Sequence, residues 1–62
     1  MSNVDDLKKA RKRLIEDRRT LAQILAGPSE PGKSEEACAA FIKMQAAIDA
    51  IERALDDEEG RL

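Results

Sequence analysis

The octapeptide GPSEPGKS, Gly27 to Ser34, has the G-x-x-x-x-G-K-S spacing of a phosphate-binding loop. Such a loop follows a buried strand and opens a helix, and its backbone N–H groups wrap the phosphates while the lysine meets their charge. The surroundings here are wrong for that chemistry. Pro28 and Pro31 have no N–H to donate, and Glu30 would set a negative charge beside a triphosphate. The preceding LAQILA belongs to a helical stripe that begins at Leu7 rather than to a strand. What remains is Lys33 and the free N–H groups after Ser34, at most a weak anion site. No nucleotide is expected as a partner.

The other reactive side chains do not assemble into a catalytic set. The chain has no histidine, no tyrosine and a single cysteine. Cys38 has no basic residue near in sequence to activate it, and as a small apolar residue at an interface it needs no further role. Asp56, Asp57, Glu58 and Glu59 are consecutive rather than convergent, so neither a metal site nor an acid–base pair follows. The expectation is a protein that is not an enzyme and holds no cofactor or metal.

The basic block KKARKR, Lys8 to Arg13, raises nucleic-acid binding, with Lys8, Lys12, Arg13 and Arg19 as the candidate contacts. Phe41 is the only aromatic residue, so nothing on the first helix can stack a base. A solvated face with intramolecular ion pairs is the simpler expectation.

These residues must be carried by helices. Ala, Glu, Lys, Arg, Leu and Asp dominate, with ten alanines, and no window alternates β-branched residues. The pattern predicts one all-α domain over residues 1–62: a first helix over about 4–26, a loop over 27–33, a second helix over about 35–58 and a tail over 59–62. Asn3 is the expected N-cap of the first helix, with Asp5 and Asp6 in its first turn. Gly27 is expected to end it at a positive φ, before Pro28. Ser34 is the expected N-cap of the second helix.

Leu7, Leu14 and Leu21 recur every seven residues, with Val4 and Leu25 on the same stripe. Ala37, Phe41, Met44, Ile48, Ile51 and Leu55 form a heptad stripe on the second helix, and Ala40, Ala47 and Ala54 run beside it. Folding at Pro28–Pro31 pairs residues whose numbers sum to 62: Leu25 with Ala37, Leu21 with Phe41, Leu14 with Ile48, Leu7 with Leu55. The product is an antiparallel αα-hairpin. Charge agrees with it. Residues 1–26 carry seven cations against four anions, and residues 34–62 carry three against eight.

The same register sets Arg18 against Met44 and Arg11 against Ile51. Either the arginine stems lie on the seam and their heads reach water, which is the simpler reading, or they form a polar layer with Gln45 near Arg18 and Glu52 near Arg11.

One seam cannot cover both stripes. Ile15, Ile24, Cys38, Ala40, Ile42, Ala47 and Ala54 are left over as an expected oligomer interface, and a homodimeric four-helix bundle is the expected assembly. Another helical protein is the alternative occupant. The architecture resembles that of Rop, the plasmid copy-number regulators, which are dimers of helical hairpins of similar length. The resemblance is architectural, carries over no functional residue, and implies an RNA- or DNA-binding dimer as the alternative function. The turn PSEP, Pro28 to Pro31, is similar to the Pro-Ser-Asp-Pro turn of type III secretion needle subunits, also helical hairpins, over four residues. No run could act as a signal peptide or span a membrane, and the lone Cys38 leaves no intramolecular disulfide. Cytoplasmic action through self-association and protein–protein contact is the expectation.

Overall fold

The computed structural model describes residues 2–28 and 30–60. It contains two helices, α1 (Asn3–Ala26) and α2 (Lys33–Gly60), and no strand among the described residues. They fold back on one another as a hairpin, a rod of 47 × 16 × 14 Å. The expected all-α class, two-helix hairpin and element order are those observed.

The ends of the helices differ from expectation in instructive ways. Ser2, not Asn3, caps α1: its backbone is extended and its Oγ accepts from the Asp5 N–H at 3.2 Å. Serine and asparagine cap equally well. Starting one residue earlier frees the Asn3 side chain, which donates from Nδ2 to Glu58 Oε1 across the hairpin at 3.0 Å. Gly27 does end α1, its N–H donating to the Ile24 carbonyl at 3.3 Å, but with φ −80° and ψ −171°. The expected positive φ is not there. Pro28 is the reason, because a proline pushes the residue before it into extended backbone.

The left-handed conformation falls instead on Gly32, at φ +90°. Pro31–Gly32 makes the tight turn that launches α2. Ser34 is therefore not the N-cap. Its N–H already donates to the Glu30 carbonyl at 3.1 Å, and the helix runs from Lys33 to Gly60 rather than from 35 to 58; of the tail expected over 59–62, 59–60 are helical and 61–62 lie outside the described residues.

Two cross-helix hydrogen bonds verify the register. Arg18 Nη1 donates to Gln45 Oε1 at 2.7 Å, and Asn3 pairs with Glu58 near the open end. Their numbers sum to 63 and 61, either side of the expected 62. Arg18 is half-buried, and Gln45 Nε2 passes the chain on to Asp49 Oδ1 at 3.1 Å. The polar layer is thus the arrangement at Arg18. Arg11 is also half-buried, with no hydrogen bond or ion pair to Glu52 among the described residues.

The core is thin and one-sided. Ala37, Ile48 and Leu55 are buried, all on α2, and α1 buries no residue. Ile48 is the most enclosed, 1% exposed. Val4, Leu7, Leu14 and Leu21 are only half-buried. Leu25, expected on the seam, is 38% exposed. It is paired with an alanine at the very end of α1, where little surface is offered to cover it.

Candidate functional site

Helical geometry distributes the side chains that flank this seam to two sides of the hairpin. Successive residues turn by about 100°, so positions three, four and seven apart share a face. On α2, Cys38, Ile42, Gln45 and Asp49 are spaced four, three and four. On α1, Arg11, Ile15, Arg18 and Ala22 are spaced in the same way. The Arg18–Gln45 hydrogen bond joins these two stripes, so they lie on one side, here called the polar side.

The opposite side is apolar and open. Leu21, Ile24, Ala37 and Ala40 line a groove of about 310 Å³ between the helices near the turn, with Lys33 and Glu36 at its margin. Ile24 is 48% exposed although it borders this groove. Seven-residue spacing carries the same face along α2 from Ala40 through the half-buried Ala47 and Ala54, and along α1 from Leu21 through the half-buried Leu14 and Leu7 and from Ile24 through the exposed Asp17 and Ala10. Small residues in such a row let another backbone approach closely.

The residues expected at an interface are therefore divided. Ile24, Ala40, Ala47 and Ala54 share the open apolar side. Ile15, Cys38 and Ile42 are on the polar side, with Cys38 a free exposed thiol and Ile42 64% exposed. Leu21 and Ala37 were assigned to the seam alone, yet they also form the floor of the open groove. A heptad reading gives each residue one face, whereas a side chain in a two-helix seam has a second flank that nothing within the hairpin covers.

The basic residues are divided as well. Lys8, Lys12 and Arg19 line a groove of about 460 Å³ on the flank of α1, with Arg11, Ile15 and Glu16. Arg13 does not join them. Five residues separate it from Lys8 and six from Arg19, which turns it to another face. All four candidates are exposed, and no ion pair to α2 neutralises them among the described residues.

The loop that carries the phosphate-loop spacing follows a helix, α1 ending at Ala26. Lys33 Nζ lies 3.3 Å from Glu30 Oε2, so the cation the motif would offer is already beside a carboxylate. No group of three or more His, Cys, Asp or Glu side chains converges on a metal-sized site among the described residues. None of their helices is long and apolar enough to cross a membrane.

Asn3 and Glu58 were missed as a pair. The sum rule already set residue 3 opposite residue 59, so the signal was present; assigning Asn3 to capping concealed it. The chain matches no family model, no curated protein and no solved structure.

Proposed function

We propose that this chain acts by binding a second copy of itself, two hairpins closing into a four-helix bundle that works through protein–protein contact and not through catalysis. The observation that carries this reading is the exposed area. The hairpin presents 4899 Å² to solvent. A compact chain of 6.9 kDa would present about 4,000 Å². The excess, roughly 900 Å², is close to the roughly 800 Å² each partner hides in an interface of ordinary size. The open side supplies apolar surface for it, in Leu21, Ile24, Ala40, Ala47 and Ala54. A reducing cytoplasm fits the one unpaired cysteine.

The test is mass and melting together. Light scattering at micromolar concentration should give twice the chain mass, and the thermal midpoint should rise with protein concentration, because stability and protomer concentration are then coupled. A monomer with full helicity and a concentration-independent midpoint overturns the reading, and the open side then belongs to another helical protein.

A second reading has one observation in its favour. The groove that gathers Lys8, Lys12 and Arg19 is on α1, away from the open apolar side, so a dimer would leave it free for a nucleic-acid backbone. Retention of RNA or DNA that falls steeply with added salt would support it, since phosphate binding releases counterions. Retention that salt does not change would count against it. The loop at Gly27–Ser34 is read as a turn and not as a nucleotide site; calorimetry with ATP–Mg²⁺ should show nothing tighter than about millimolar.

A further inference from the structure

We draw no further inference here: the strongest candidate, the open apolar groove between the two helices near the turn, belongs to the self-association already proposed, and nothing in the structure shows how a partner would be seated on it.

Discussion

The two sides of this hairpin are built from the same helices yet are satisfied differently. On the polar side, Arg18, Gln45 and Asp49 form a hydrogen-bonded chain that is complete within one molecule. On the open side, Leu21, Ile24, Ala37 and Ala40 leave an apolar groove that no described residue fills. A polar group can be satisfied by one well-placed partner or by water. An apolar surface can be satisfied only by covering its area. On the self-association proposed above, the open side is the face that would be covered, while the polar side keeps Ile42 64% exposed.

The strongest way to break that comparison is a matched pair of charges. Ala47→Glu places a carboxylate on the open side, where association would bury it unpaired at a cost of several kcal/mol. The proposed dimer should dissociate and helicity should fall, by light scattering and circular dichroism. Ile42→Glu, on the polar side at a position already 64% exposed, should leave the mass unchanged. If both dissociate the dimer, or neither does, the assignment of the two sides is wrong.

Ile48→Ala probes the seam that both sides share. At 1% exposure the loss should be about 2–4 kcal/mol, as for other large-to-small core changes. Denaturant titration measures it; a loss under about 1 kcal/mol would mean that the seam is loosely packed.

The polar side can be sharpened by a double-mutant cycle on Arg18→Ala and Gln45→Ala. A half-buried hydrogen bond from a charged donor should show a coupling of about 1–2 kcal/mol. Additive losses would mean that the arginine reaches water and the pair contributes nothing.

The smallest expected effects concern the turn that sets the two sides in register. Gly32→Ala forces a side chain to φ +90° and should cost about 1 kcal/mol. Gly27→Ala should be neutral or slightly stabilising, because its φ of −80° suits any residue and alanine restricts the unfolded chain. Thermal melts of the two variants at equal concentration decide between them, and equal losses would refute the placement of the left-handed residue at Gly32.

Much of this was legible from local pattern. Heptad spacing placed Ile48 and Leu55 in the core. The proline–glycine loop marked the stop between the helices, and the sum of 62 predicted the pairing that Arg18–Gln45 and Asn3–Glu58 now bracket. The errors share a cause. Asn3, Gly27 and Ser34 are residues whose type suits a cap, but several suitable residues stood at each helix end. Which one is used depends on the neighbour: Pro28 forces Gly27 extended, the Pro31–Gly32 turn starts α2 before Ser34, and Glu58 draws Asn3 across the hairpin.

The amino-acid order by itself determined that there are two helices, where they break and which stripes face each other, because periodicity, proline and glycine act within a few residues along the chain. Only the tertiary structure decided which flank of each stripe is left uncovered, and that Ile15 and Ile42 part company with Ile24 and the alanine row. Burial depends on how the two helices rotate against one another. That rotation is set by the packing of every seam residue together, so no single stripe read alone contains it.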